Sequence, residues 1–169
     1  MMQKKAQRKV SKEQSARKGA LVFAGLSGGV DSSVAALLLK EQGFKVTGVH
    51  IRSWNKGGCD VREAEDARRV AERIGIPFYV FDMEKEYEER VVRYMIEGYE
   101  KGSTPNPDIM CNREIKFGIF LEKALSLGAE HVATGHYARV AISKDGDLGL
   151  YQAADAKKDQ TYFLWTLTA

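Results

Sequence analysis

The stretch Leu21 to Ser33, LVFAGLSGGVDSS, constrains this chain more than any other. A short run rich in Val, Leu and Phe stops at Gly25. Two adjacent glycines, Gly28 and Gly29, follow between Ser27 and Asp31, and an apolar helical pattern starts at Val34, Ala35, Leu37 and Leu38. Strand, tight loop and helix N-terminus thus come in immediate succession. Adjacent glycines let backbone N–H groups converge into a concave nest, and the first helical turn adds unpaired N–H groups and a positive dipole end. Such a place binds an anion, most naturally a phosphate chain. A plainer reading is a glycine turn capped by Asp31 or Ser32 to start a helix. A cap alone does not require Ser-Gly-Gly before it, and the two readings are compatible.

No Lys follows the glycines to neutralise a γ-phosphate, so the loop is not a Walker A, and it lacks the spacing of a dinucleotide GxGxxG. It resembles the SGGxDS pyrophosphate loop of the N-type ATP pyrophosphatases, which split ATP between the α- and β-phosphates. Ser27, Gly28, Gly29, Val30, Asp31 and Ser32 stand in that motif.

At 169 residues the chain has the size of one domain with a real core. No run approaches the length needed to span a bilayer, no signal peptide opens the chain, and no membrane partner is expected. Two cysteines far apart, Cys59 and Cys111, are no disulfide framework, which points to a reducing, cytoplasmic setting and free thiols. Net charge is unevenly spread: of the overall +3, Met1 to Gly19 carries seven Lys or Arg against one Glu, leaving 19 bases and 22 acids in the body. This basic tail has no apolar periodicity and is expected to be disordered, the folded domain running from residue 20 to 169. The tail suits a nucleic-acid arm, a solubilising extension or, less well, a transit peptide.

Beyond the loop the pattern alternates. A helix from Ser32 to Gln42 stops at Gly43, and Lys45 to Ile51 is a nearly continuous apolar strand. After a loop from Arg52, Asp60 and Glu63 form a capping-box-like start to a helix with Val61, Ala64, Ala67, Val70, Ala71 and Ile74 inward. Gly75 ends it, and Pro77 to Phe81 is a third strand. Tyr87 to Lys101 is helical, with Val91, Val92, Met95 and Tyr99 inward. A loop over Gly102 to Cys111 leads to a helix from about Arg113 to Leu127. His131 to Ala133 is a fourth strand ending in Thr134-Gly135-His136, and Ala138 to Ser143 with Leu148 to Gln152 forms a hairpin. The expected fold is α/β, doubly wound, with a mainly parallel sheet and helices on both faces. With strand order 3-2-1-4, Thr134-Gly135-His136 would face the glycine loop across the carboxyl-end crevice.

The segment Ser103 to Arg113, STPNPDIMCNR, carries the second signal. Pro105 and Pro107 stiffen it and bias Thr104 and Asn106 toward extended geometry. Cys111 falls at a helix entrance beside Arg113, where a thiol ionises more readily, while Asp108 opposes this or holds a substrate donor. The competing reading is a buried connector cysteine.

The run TPNPDIMCN after SGGVDSS, continued by Glu114-Ile115-Lys116-Phe117, Ala133 to Tyr137 and Lys158 to Leu164, resembles the tRNA-specific 2-thiouridylases, over nearly all of Gly19 to Thr168. The resemblance implies a PP-loop, adenine nucleotide alpha hydrolase-like fold and a two-stage reaction on the wobble uridine of tRNA. ATP adenylates the C2 oxygen, releasing pyrophosphate, and a persulfide sulfur then displaces AMP. It implies ATP contacts from Gly25, Leu26, Ser27, Gly28, Gly29, Val30, Asp31, Ser32, Ile51 and Gly135, with Asp31 acting through Mg²⁺. Asn106, Pro107 and Asp108 would meet the target base, Cys111 would be the nucleophile, and His136, Lys158, Asp159 and Gln160 would contact tRNA. A histidine hydrogen-bonded at a strand end is the plainer reading of His136, and the only one given to His50 and His131; Trp54 and Trp165 likewise receive a packing reading, and Cys59 no role. Partners implied are tRNA and a persulfide donor, either a cysteine desulfurase or a sulfur-relay protein.

That family uses a second cysteine beyond the matched region as persulfide carrier, and β-rich domains that grip tRNA. This chain is therefore read as the catalytic N-terminal part of a longer protein, able to bind ATP but not to complete thiolation. An iron–sulfur cluster involving Cys111 and Asp108 in the complete protein stays open. So do another N-type pyrophosphatase (a 4-thiouridine, argininosuccinate or GMP synthetase) and a non-catalytic ATP-binding module.

Overall fold

The computed structural model describes residues 18–53, 59–143 and 146–167, with the backbone alone at Cys59. The basic tail, Trp54 and the tip of the expected hairpin turn lie outside the described residues.

Four parallel strands form the central sheet in the order β3-β2-β1-β4: β1 (Leu21–Gly25), β2 (Lys45–Arg52), β3 (Phe78–Asp82) and β4 (His131–Ala133). Leu21 pairs with Lys45, Val22 with His131 and Gly48 with Phe78. The expected order is found. Its reversal lies between β1 and β4, so the loops leaving these two strands open a crevice between them. Side chains alternate across β1: Phe23 enters one core cluster with Val49, Phe81, Met83, Val91, Ile115 and Phe120, while Ala24 enters the other with Leu26, Ala36, Val46, Ala67 and Ala71. Two cores on opposite faces of one sheet are the doubly wound arrangement.

Helices α1 (Val30–Glu41) and α2 (Cys59–Ile74) pack on the alanine-rich face. The contact is made by small residues, which bring the helices close to the sheet. Ala36 and Ala67 are fully buried, whereas Val34, Leu37 and Leu38 of the apolar pattern, and Val61, expected inward, are exposed. The opposite face carries α3 (Glu84–Tyr87), a π-helical segment Glu88–Val92 and α4 (Arg93–Glu100). Val91 is buried there, but Tyr99 points outward. Next come α5 (Pro107–Met110), a second π-helical segment Cys111–Ile119 and α6 (Phe120–Ser126).

This helix starts earlier than its sequence pattern suggests. Asn106 is extended at its N-cap, its side-chain oxygen accepts from the N–H groups of Asp108 and Ile109, and Pro107 takes the first turn, where it needs no N–H. Pro105 is buried against Gly98, whose missing Cβ leaves room for the ring. Beyond β4, β5 (Arg139–Ile142) and β6 (Leu148–Tyr151) pair antiparallel, and a 3-10 turn, Thr161–Leu164, closes the described chain. Among the described residues no helix is long and apolar enough to cross a membrane.

Candidate active site

The glycine loop leaves β1 and enters α1 without a side-chain cap. Gly28 has φ of +79°, open to glycine but strained for other residues, and it packs on α2, where an added Cβ would sit 3.0 Å from Cβ of Asp66. Gly29, extended at φ −79° and ψ 166°, is the N-cap. The loop's serines turn inward: the Ser32 hydroxyl donates to the Gly29 carbonyl at 3.1 Å, the Ser33 hydroxyl to the same carbonyl at 2.6 Å, and the Ser27 hydroxyl accepts from the Gly29 N–H at 3.3 Å. The plainer expectation of a cap by Asp31 or Ser32 therefore gives way. Ser32 braces the loop instead, and the first-turn N–H groups of α1 stay open toward the crevice.

Across the crevice, Gly135 follows β4. A Cβ there would overlap the backbone of Ser32 and come within 2.7 Å of the Asp31 carbonyl carbon, so only glycine permits this approach. The two loops enclose a cavity of about 380 Å³. Gly25, Leu26, Ser27, Gly29, Val30, Asp31 and Ser32 line one side, Ile51 the floor, and Gly135, His136 and Gln160 the other. Cys111 lines the same cavity. Of the expected nucleotide residues only Gly28 is not on its wall. Of the expected base- and tRNA-contacting residues, Asn106, Pro107, Asp108, Lys158 and Asp159 are not on it either. Asn106 serves as a cap, Asp108 and Lys158 are exposed, and Asp159 accepts from the Ala153 N–H and the Thr161 hydroxyl, both at 2.7 Å.

The thiol differs from its sequence expectation. Because the helix begins at Pro107, Cys111 lies a turn inside it, past the reach of the helix N-terminus. Burial pushes its pKa above the ordinary thiol value, Lys116 pulls it down and Asp108 pushes it up. The opposing effect of Asp108 is as expected, but the cation is Lys116 rather than Arg113, whose guanidinium pairs with Glu114 at 3.2 Å.

His136 is held from both sides. The Asn112 amide nitrogen donates to the Phe163 carbonyl at 3.0 Å, so its oxygen accepts from Nε2 of His136 at 3.1 Å, and Nδ1 accepts from the Thr134 hydroxyl at 2.8 Å. This is a neutral ring; burial, then the charge of Lys116, lowers its pKa to about 4. Gln160 is tied to the same region, its side-chain oxygen accepting from the Tyr137 N–H at 2.8 Å.

Thr134 lines the cavity as expected, while sequence reasoning missed other wall residues: Val49, His50, Ser53, Glu63, Ile115 and Lys116. His50 has the plain hydrogen-bonded role expected, yet it supports the loop directly. Its Nδ1 faces the Leu26 carbonyl at 3.2 Å and its Nε2 faces Asp60 at 3.0 Å, so the ring ties the loop to α2. Arg52 donates to the other Asp60 oxygen at 2.7 Å. Asp60 is thus no capping residue. Burial raises its pKa, but hydrogen bonds from His50 and Arg52 outweigh this and hold the carboxyl below the usual range. The alternation of apolar residues around His50 hides this, because only the fold brings α2 under the loop.

Asp31 and Glu63 put hard carboxylate oxygens on the cavity wall, suited to a Mg²⁺ shared with phosphates and water. Among the described residues no group of three or more His, Cys, Asp or Glu side chains stands ready to hold a metal by protein ligands alone.

A tRNA-specific 2-thiouridylase MnmA from Lactiplantibacillus plantarum is 52% identical over 148 residues, covering 85% of this chain and 40% of that protein. One from Geobacillus thermodenitrificans is 54% identical over 148 residues, with the same coverages. The chain thus spans about two-fifths of the length of the curated relatives it matches. A solved NMN synthetase from Francisella tularensis aligns with a TM-score of 0.48 at 22% identity, covering 76% of this chain and 52% of its own. The family described as tRNA methyl transferase HUP domain matches residues 20–169, nearly the whole chain, and the chain belongs to that family.

Proposed function

We propose that this chain is the ATP-using part of a tRNA uridine 2-sulfurtransferase. The observation that carries this reading is the presence of Cys111 and the open glycine loop on the walls of one cavity. A thiol on a remote surface would have left a nucleotide binder only.

In this reading the loop and the first-turn N–H groups of α1 hold the β- and γ-phosphates of ATP, and the Ile51 backbone borders the adenosine. The uracil C2 oxygen attacks the α-phosphorus, the bond to the β-phosphate oxygen breaks, and pyrophosphate leaves with the electron pair. Preorganised N–H groups stabilise the charge that builds on it. Asp31 and Glu63 would hold Mg²⁺, which when bound would offset phosphate charge. The adenylated oxygen is now a good leaving group. The terminal sulfur of a donor persulfide bonds to C2, and AMP leaves with the electrons of the C2–O bond. Forming C2=S then requires the S–S bond to break. The Cys111 thiolate attacks the donor cysteine's own sulfur, the S–S bond breaks with its electron pair left on the sulfur at C2, and a disulfide joins the two cysteines. The target base reaches the cavity only once unstacked, and Asn106 to Asp108, at the start of the helix that carries Cys111, would meet it. The persulfide donor and tRNA are the partners, and the basic tail is a candidate arm for the latter.

The test is pyrophosphate release from ATP with unmodified tRNA, compared with small carboxylate and amide acceptors. Release that depends on tRNA and survives Cys111→Ala is the expected result, with sulfur transfer by the full-length protein lost in the same variant. Release with a small acceptor but not with tRNA would assign the site to an amidating ligase instead.

A further inference from the structure

The glycine loop lacks the lysine with which many phosphate loops neutralise their ligand, and its own wall side chains, with Glu63 nearby, add negative charge. A cation is nevertheless present on the opposite wall. Lys116 lines the cavity, is half-buried, and forms no ion pair among the described residues, although the neighbouring Arg113 and Glu114 pair with each other. It stands five residues after Cys111, within the π-helical segment Cys111–Ile119. In α-helical geometry a residue five ahead faces largely away. The wider turn of a π-helix, bonded i to i+5, brings it round toward the face of the first. The wider turn therefore sets an ammonium and a thiol on one wall, opposite the loop. Its charge bears on both neighbours there, drawing the Cys111 thiol down and helping to keep His136 neutral.

We propose that Lys116 is the phosphate-binding lysine of this site, supplied from the thiol wall instead of from the loop, and that it pairs with the α-phosphoryl group. The assignment rests on the function proposed above. If the loop holds the departing pyrophosphate and Cys111 marks the sulfur end, the group between them is the α-phosphoryl, and Lys116 borders that space. It compensates the charge of the α-phosphoryl during adenylation and stays paired with AMP until sulfur arrives. The π-helical segment is what makes the pairing possible.

The experiment compares ATP, AMP and adenosine binding to the chain and to Lys116→Met and Lys116→Arg. The expected result is a loss of AMP affinity of about tenfold or more in Lys116→Met, the loss of a charged hydrogen bond, with adenosine binding unchanged and Lys116→Arg close to the parent. In parallel, amine acetylation of the unmutated chain is mapped by mass spectrometry. AMP should protect Lys116 and adenosine should not, a readout independent of how well any variant folds. Equal AMP affinity in parent and Lys116→Met, a parallel loss of AMP and adenosine binding, or acetylation of Lys116 indifferent to AMP would each overturn the assignment. Failure of the unmutated chain to bind ATP would overturn the functional reading itself, and the lysine's role with it.

Discussion

The two walls of the cavity are built in opposite ways. The loop wall is largely backbone: the first turn of α1 supplies its N–H groups, the loop's serines bond within the loop, and Gly135 closes on the Ser32 backbone because it carries no Cβ. The thiol wall is side chain: Cys111 and Lys116 stand on a helix whose bonding pattern has been widened, His136 reaches them from the loop after β4, and burial and the Lys116 charge act on both the thiol and the ring. A backbone wall tolerates little change in shape, and its N–H groups do not titrate. A side-chain wall tolerates small shifts, and its chemistry moves with pH.

The largest expected effect tests whether the loop wall stands by backbone alone. Asp60→Ala leaves His50 and Arg52 without their shared acceptor beneath Leu26, a loss of about 3 kcal/mol in denaturant melts, as for other broken buried pairs. Because the Asp60 carboxyl is held below its usual range, its contribution is present above about pH 4 and fades as pH falls through the folded value, so parent and variant should converge in acid. Unchanged melts at neutral pH would show that the glycine wall needs no support from below.

Gly135→Ala comes next. Its methyl group has nowhere to go but into Ser32, and about 1–3 kcal/mol of stability should be lost together with most ATP affinity. Normal ATP binding by this variant would mean that the walls can part without cost.

Asn106→Ala separates capping from base contact. Loss of the two cap hydrogen bonds should cost about 1 kcal/mol without any tRNA present. A melt identical to the parent would assign Asn106 to substrate alone.

The smallest effects lie in pH dependence on the thiol wall. His136 is neutral in the fold, with a pKa of about 4 against about 6.5 unfolded, so the unfolded chain takes up a proton first. Stability from this ring is full above about pH 6.5 and declines toward pH 4, a slope that His136→Gln should flatten. Alkylation of Cys111 should rise at higher pH than that of free cysteine, since burial outweighs Lys116. A midpoint below free cysteine would mean that the helix end activates the thiol after all.

The loop wall was legible because glycine freedom and helix starts are local properties. Strand order 3-2-1-4, the facing of Gly135 and the core of β2 followed from the same local patterns. The thiol wall was legible only in its residues. The early helix start at Asn106-Pro107 was hidden by two prolines that read as a stiff loop, and this misplaced Cys111 at the helix end.

By itself the sequence determined a parallel sheet with a phosphate-sized nest after its first strand, since runs of strand formers, paired glycines and helix stops act within a few residues of one another. Only the tertiary structure decided that Lys116 and not Arg113 faces the thiol, that Asp60 braces the loop through His50, and that Asp159 ties the chain together. Each of these depends on which way a side chain points after distant segments pack, and burial and Coulomb interaction act through space regardless of separation along the chain.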